Sequence, residues 1–206
     1  MGFYERRVLP RLIDWACGLT VVDRQRRKVV PQAQGEVLEV GIGPGHNLEH
    51  YDPSRVRRLV AIDPSPEMLV LAARRARALG RDVELLEAGA ERIPLPDAAV
   101  DAVLLTYTLC TVPEPHAALC EIRRVLRPSG QLLFCEHGAA PDPAVRKWQD
   151  RVTPLWRRFA GGCHLNRDVP ALLAAGGFSV EEPSAMYLPG WRPATWNVWG
   201  VARPTS

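Results

Sequence analysis

Two stretches of the chain have residue types and a spacing that suit ligand chemistry. The first is Glu39-Val40-Gly41-Ile42-Gly43-Pro44-Gly45, three alternating glycines directly after an apolar run containing Val37, Leu38 and Val40. Glycines so placed let the backbone turn sharply at a strand end and approach a ligand with no Cβ in the way. The second is Leu59-Val60-Ala61-Ile62-Asp63, an apolar run ending in a carboxylate at the spacing of about 20 residues from which an acidic side chain can accept hydrogen bonds from both ribose hydroxyls of a nucleotide-like molecule. The third glycine comes one position early for a G-x-G-x-x-G/A turn, and His46 stands where Gly or Ala would be needed. That argues against a cofactor built on a pyrophosphate.

Other functional classes are disfavoured by composition. Of 206 residues, 47% are hydrophobic and 24% charged, the balance of a folded soluble chain. The net charge of +3 is small and almost wholly arginine, with Lys28 and Lys147 the only lysines; no clustered footprint for nucleic acid follows from it. The cysteines, Cys17, Cys110, Cys120, Cys135 and Cys163, are scattered with no CxxC pair, so their spacing supports neither a zinc site nor a disulfide framework, and no metal is expected. No apolar run approaches the roughly 18 residues of a membrane span. The first stretch is broken by Glu5, Arg6, Arg7, Pro10, Arg11 and Asp14, unlike a secretory signal, and a cytoplasmic location is expected.

The elements that must position the two stretches follow from periodicity. Short apolar runs predict strands over Glu36–Val40, Arg58–Ile62, Val83–Glu87, Val100–Leu105 and Gln131–Glu136, then near Phe178–Ala185 and Trp196–Ala202. Apolar positions at three- and four-residue spacing predict helices over Pro66–Leu79 and His116–Leu126, with stop signals at Gly80, Pro128 and Gly130. A further helix is predicted to begin near His46, another over Val145–Arg158, and a short one over Val169–Ala175. Strands alternating with helices predict an α/β fold with a parallel sheet and crossover helices, plus an N-terminal helical segment.

The acidic residue, G-x-G-x-G and distant Asp63 resemble the first two motifs of class I S-adenosylmethionine (SAM) methyltransferases. Ile62-Asp63-Pro64-Ser65-Pro66-Glu67-Met68 is similar to their second motif, and Gly89-Ala90-Glu91-Arg92-Ile93-Pro94-Leu95-Pro96-Asp97 to their third, although the usual carboxylate is missing at Gly89. Asp101–Cys110 and Glu121–Gly130 resemble the fourth strand with its exit and the helix and turn before the fifth. The resemblance implies a Rossmann-like, seven-stranded, mainly parallel sheet with helices on both faces. It divides one domain into an N-terminal helical cap (1–34), a cofactor-binding core (35–136) and an acceptor-side lid with the last strands (137–206). It also implies SAM as cofactor, with Glu39, Gly41, Gly43, Gly45, Asn47, Asp63, Pro64, Met68, Ala90, Glu91 and Thr106 around it.

Leu105-Thr106-Tyr107-Thr108 lacks the D/N-P-P-Y/F/W run of enzymes that methylate exocyclic amines, and no Asp-Asp-Asn metal constellation can be assembled. A small-molecule acceptor is therefore expected. Leu109-Cys110-Thr111-Val112, Phe134-Cys135-Glu136-His137, Trp148-Gln149, Pro154-Leu155-Trp156 and Gly162-Cys163-His164-Leu165-Asn166-Arg167 resemble the methyltransferase-like thiol S-methyltransferases and their bacterial relatives, which implies a thiol acceptor. Open alternatives are N- or O-methylation of a lipid head group or quinone-like phenol, and a non-catalytic SAM-binding module. Tyr107 and His137 fall just beyond the fourth and fifth strands, where an open α/β sheet places its reactive site, and are the candidate catalytic residues; each is weighed against a structural role. His46 is read as a helix cap or a contact of the cofactor carboxylate, Asn166 and Arg167 as orienting the acceptor or, for Asn166, capping the next helix. Cys110 and Cys163 are read first as small core residues. The aromatics Phe3, Tyr4 and Trp15, and Trp148, Trp156, Trp191, Trp196 and Trp199, cluster at the two ends. They either pack helices on the sheet, form an apolar lid, or rest on a membrane surface with Arg24, Arg26, Arg27 and Lys28 towards lipid head groups. Peripheral membrane contact stays open; the sequence does not fix the oligomeric state.

Overall fold

The computed structural model of the chain describes residues 8–205; Phe3 and Tyr4 lie outside the described residues. Two helices open the fold, α1 (Leu9–Cys17) and α2 (Thr20–Val29). Then come β1 (Gly35–Val40), β2 (Val56–Asp63), α3 (Pro66–Leu79), β3 (Glu84–Glu87), β4 (Val100–Thr106), α4 (Pro115–Val125) and β5 (Leu126–His137). The chain ends with α5 (Pro143–Phe159), α6 (Val169–Ala175), β6 (Phe178–Tyr187) and β7 (Trp196–Pro204). The seven strands form one sheet in the order β3-β2-β1-β4-β5-β7-β6. β1 to β5 are mutually parallel, and β7 runs antiparallel to both β5 and β6.

Alternate residues of the central strands go to opposite faces, as pleating requires. Leu38, Val40, Val103, Leu105 and Phe134 pack with Leu119 and Ile122 of α4 and Val169 and Leu173 of α6. Val37, Ala102, Leu104, Leu133 and Cys135 pack with Val29 of α2 and Ala72 and Ala76 of α3. Both faces are covered, which is why these strands read as near-continuous apolar runs. Ser65 starts α3, its hydroxyl accepting from the Met68 amide, and Gly80 stops it in the left-handed region at φ +60°.

The predicted helix after the glycines is not formed. His46–Glu49 is a single 3-10 turn, because the chain must return through Asp52-Pro53 to enter β2 at Val56, and Pro53 cannot continue a helix. The fifth strand is longer than predicted: α4 runs directly into it at Leu126, and a register irregularity between Val100 and Ala102 absorbs Arg127–Gly130. Strand order reverses between β1 and β4, so their carboxyl ends diverge into a crevice, the place where open α/β sheets bind ligands.

Candidate active site

The glycine loop leaves β1 into this crevice. Gly41 holds φ +72°, and a Cβ there would lie 2.5 Å from the Thr108 side chain. Thr108 Oγ1 in turn donates to the Val40 carbonyl at 3.0 Å, locking the end of β1 to the exit of β4. Gly43, at φ +54°, has nothing within 4 Å of where its Cβ would be, so the loop presents bare backbone to open space, as close approach of a ligand requires. One Asp63 oxygen accepts from the Gly43 amide at 2.9 Å and the other from the Ser65 amide at 2.9 Å. Those bonds fix the carboxyl at the carboxyl end of β2. Burial nevertheless raises its pKa, the two amides only partly offsetting it. A carboxylate oriented by two amides beside an open glycine turn retains lone pairs for two vicinal hydroxyls.

Beneath the loop lies a polar network that contains several residues implied by the sequence and two that are not. Asn47 donates to Glu39 Oε1 and to Thr106 Oγ1, at 2.9 and 2.8 Å, and Tyr51 donates to Glu39 Oε2 at 2.7 Å. Burial pushes Glu39 up to about 7 despite those bonds. The unforeseen members are Tyr51 and, on α2, Arg26. Its guanidinium donates to Asn47 Oδ1 at 3.0 Å and to Thr106 Oγ1 at 2.8 Å, and it lies 5.3 Å from the Tyr107 ring centroid. With 5% exposure it cannot face lipid, which removes it from the membrane-facing reading. Arg27 pairs with Asp23, and Lys28 sits 3.5 Å over the Trp199 ring. The only signal that could have found Arg26 was its place among Val22, Val29 and Val30, an inward position on an amphipathic helix.

The remaining implied contacts are spread around the crevice. Met68 is buried on α3 and Ala90 is buried in the loop after β3, whereas Pro64 is exposed. That loop starts beside Asp63, since the Ala88 amide donates to the Asp63 carbonyl at 3.3 Å. Glu91 folds back over Gly89 and accepts from the Glu114 amide at 3.3 Å. His46 caps no α-helix; its Nε2 lies 3.0 Å from Asp14 Oδ1 of α1. Asn166 donates to Asp150 at 2.8 Å, and α6 is capped by Asp168 instead, whose carboxylate accepts from the Ala171 amide. Arg167 donates to the Leu109 and Val112 carbonyls and so fixes the loop after β4.

On the other side of the crevice, Tyr107 adopts φ +56°, a conformation costing a non-glycine residue about 1–3 kcal/mol. Its hydroxyl donates to Asn197 Oδ1 at 2.7 Å. Burial raises the phenol well above its ordinary value, so it is a neutral donor. His137 ends β5 with its ring centroid 6.3 Å from that of Tyr107. Its Nε2 lies 3.0 Å from Cys163 Sγ, which also accepts from Trp156 Nε1 at 3.3 Å. Burial alone would lower the His137 imidazolium, but Cys163 and Glu136 outweigh it and hold the pKa above the ordinary value. Cys163 is held well below the usual thiol range, first by a hydrogen bond from the Cys110 thiol and then by His137 and Trp156 against burial. Glu136 accepts from the Thr108 and Leu109 amides at 2.7 and 3.1 Å, and burial pushes it up to about 7. Cys110, His137 and Cys163 are thus brought together from three separate elements. The tryptophans divide: Trp156, Trp196 and Trp199 pack against the fold, while Trp15, Trp148 and Trp191 are half or more exposed.

A family profile described as a methyltransferase domain matches residues 38–134. The chain is 33% identical over 177 residues to thiol S-methyltransferase TMT1B of Homo sapiens, covering 82% of this chain and 72% of that protein. It is 32% identical over 199 residues to the demethylmenaquinone methyltransferase of Thermus thermophilus, covering 84% and 88%. Among solved structures, the YcgJ protein of Bacillus subtilis shares the fold with a TM-score of 0.71 at 17% identity, over 90% of this chain and 98% of that one. The [4+2]-cyclase SpnF also shares it, at a TM-score of 0.70 and 19% identity over 90% and 82%, so the fold by itself does not choose the chemistry. An open glycine turn, a ribose-competent carboxylate and this degree of identity along most of the chain agree: it is a SAM-dependent methyltransferase of class I.

Proposed function

We propose that this methyltransferase acts on a small apolar thiol. The observation that carries the reading is the group at the end of β5, where Cys110, His137 and Cys163 gather at the carboxyl edge of the sheet. Support also comes from the 33% identity to a protein of that name. SAM supplies a methyl group already activated on a sulfonium, so the protein's task is to position the acceptor and keep its sulfur anionic.

In this reading Asp63 holds the ribose and the amides from Gly41 to Gly45 pass under the amino-acid portion. Met68, Ala90 and Glu91 border the adenine, with Pro64 at the rim. Glu39, Asn47, Thr106 and Arg26 keep the floor rigid. Tyr107 walls the acceptor, and His137 contributes the positive environment that a thiolate needs. α1 and α5 form the cover: the loop after α5 reaches Leu9 and Ile13 of α1 at Gly161, and α5 is anchored beyond the strand ends by Gln149, which donates to the Gly138 and Pro193 carbonyls at 3.0 Å each.

Incubating the protein with SAM and a matched panel of thiols, phenols and amines, and following S-adenosylhomocysteine, tests this directly. Turnover of thiols above the other classes is expected. Preference for phenols would favour a quinone-like acceptor instead, a second reading supported by the demethylmenaquinone methyltransferase relative. Tight SAM binding with no turnover of any class would leave a SAM-binding module.

A further inference from the structure

We infer that Cys110, His137 and Cys163 form a zinc site, and that its open position takes the acceptor sulfur. Spacing in the sequence argued against any zinc motif, since the ligands stand 27 and 26 residues apart with no CxxC pair. The fold nevertheless places Cys110 Sγ, a His137 ring nitrogen and Cys163 Sγ all within 4.8 Å of one another. A tetrahedral zinc ion, with Zn–S of about 2.3 Å and Zn–N of about 2.0 Å, needs ligand atoms about 3.3–3.8 Å apart. The pair already at 3.0 Å, His137 Nε2 and Cys163 Sγ, opens by a few tenths of an ångström to admit it. Two thiols and an imidazole are soft donors that select zinc over magnesium or calcium.

The surroundings resemble those of a built metal site. Trp156 Nε1 directs its N–H at Cys163 Sγ, the kind of outer hydrogen bond that orients a thiolate ligand. The two cysteine loops are tied together by the His164 amide, which donates to the Cys110 carbonyl at 2.8 Å. Arg167 secures the same loop through the Leu109 and Val112 carbonyls. Cys110 and Cys163 are buried, so the ligands are not competing for solvent. Three protein ligands leave one tetrahedral position, the arrangement of catalytic and not of structural zinc. The cluster lies at the carboxyl ends of β4 and β5, with His137 beside Tyr107, on the side of the crevice assigned to the acceptor.

This inference rests on the thiol reading for its substrate and on geometry alone for its metal. On coordination the acceptor thiol loses its proton to solvent and binds as thiolate. A lone pair on that sulfur forms the new bond to the methyl carbon while the carbon–sulfonium bond breaks, its electron pair staying on the S-adenosylhomocysteine that leaves. The thioether product carries no charge and is a poorer zinc ligand, so it departs. His137 then acts as a ligand, and the charge facing the acceptor is the metal's.

The full chain, reduced and stripped of metal, is titrated with Co2+ and examined by electronic absorption, and metal content after purification is measured by mass spectrometry. Expected are one zinc ion per chain as purified, tetrahedral cobalt bands with a thiolate-to-cobalt charge-transfer band, and a shift of those bands when a small apolar monothiol is added. Cys163→Ser, Cys110→Ser and His137→Gln should each weaken metal binding at least tenfold while SAM affinity by calorimetry stays within twofold, which also shows that the variants fold. Absence of charge-transfer bands, or a Cys110–Cys163 disulfide in place of metal uptake, would overturn the site. A cobalt spectrum that forms but ignores monothiols overturns the acceptor-binding half, as does thiol turnover by zinc-free protein, which leaves the thiol reading standing.

Discussion

The two sides of the crevice are built in different ways. On the side proposed for the cofactor, Gly41, Gly43 and Asp63 offer backbone turns and one carboxylate placed at the ends of adjacent parallel strands. On the side proposed for the acceptor, Tyr107, Cys110, His137 and Cys163 come from the exits of β4 and β5 and from the loop between α5 and α6. The first side is short-range chemistry repeated at a fixed distance. The second exists only when three loops meet, held by Arg167 and by the His164–Cys110 backbone bond. Binding a common cofactor calls for a fixed backbone cradle, whereas acceptor choice varies with loop side chains carried on that scaffold.

If the division is real, changes on the cofactor side will be read in SAM affinity and changes on the acceptor side in turnover. Asp63→Ala should have the largest effect, weakening SAM binding about 10- to 150-fold, the value of a hydrogen-bonded charged group at about 1.5–3 kcal/mol; unchanged calorimetric affinity would remove Asp63 from the ribose. Arg26→Met comes next. It leaves Asn47 Oδ1 without its donor, while Thr106 Oγ1 keeps the one from Asn47, a cost of about 1–3 kcal/mol, or a Tm lower by about 2–4 °C per kcal/mol. A calorimetric scan showing no change would mean that the floor is not held from α2.

Glu39 and Glu136 give a pH test of the same floor. Burial raises each from an ordinary 4.5 to about 7. A carboxyl with a folded pKa above its unfolded value contributes stability that is full below about pH 4.5 and lost as pH rises through about 7. Thermal stability should therefore fall between about pH 4.5 and 7, by up to about 3 kcal/mol for each group, and Glu136→Gln should flatten the profile. A rise in Tm over that range would contradict both assignments. Tyr107→Phe removes the donor to Asn197 Oδ1 and should cost about 1 kcal/mol of stability and lower turnover, with SAM affinity kept. Equal losses of both would place Tyr107 on the cofactor side. The smallest effect is expected at Leu155, which is 60% exposed on α5: Leu155→Ser should change stability by no more than about 0.5 kcal/mol while raising KM for an apolar acceptor, and an unchanged KM would take α5 out of the cover.

The fold was largely legible because the apolar runs of β1 to β5 and the helical patterns of α3 and α4 are strong, with α3 bounded by Ser65 and Gly80. What failed was local: the helix expected at His46 became one 3-10 turn because Pro53 and the return to β2 leave no room. The membrane-facing reading of Arg26 failed for another reason. A buried arginine is uncommon, and it is partners from other elements, Asn47 and Thr106 among them, that offset its desolvation.

The sequence by itself determined the glycine turn after β1 and the carboxylate that ends β2, since glycine permits the turn whatever its partners and an apolar run closing on an acid marks a strand end. Tertiary structure alone decided the rest. Whether Arg26 turns inward, whether His46 meets Asp14, and whether Cys110, His137 and Cys163 converge depend on contacts between residues far apart in the chain. Such contacts leave no periodic trace, because any one of those side chains would read equally well as surface or core until its partners from other elements are in place.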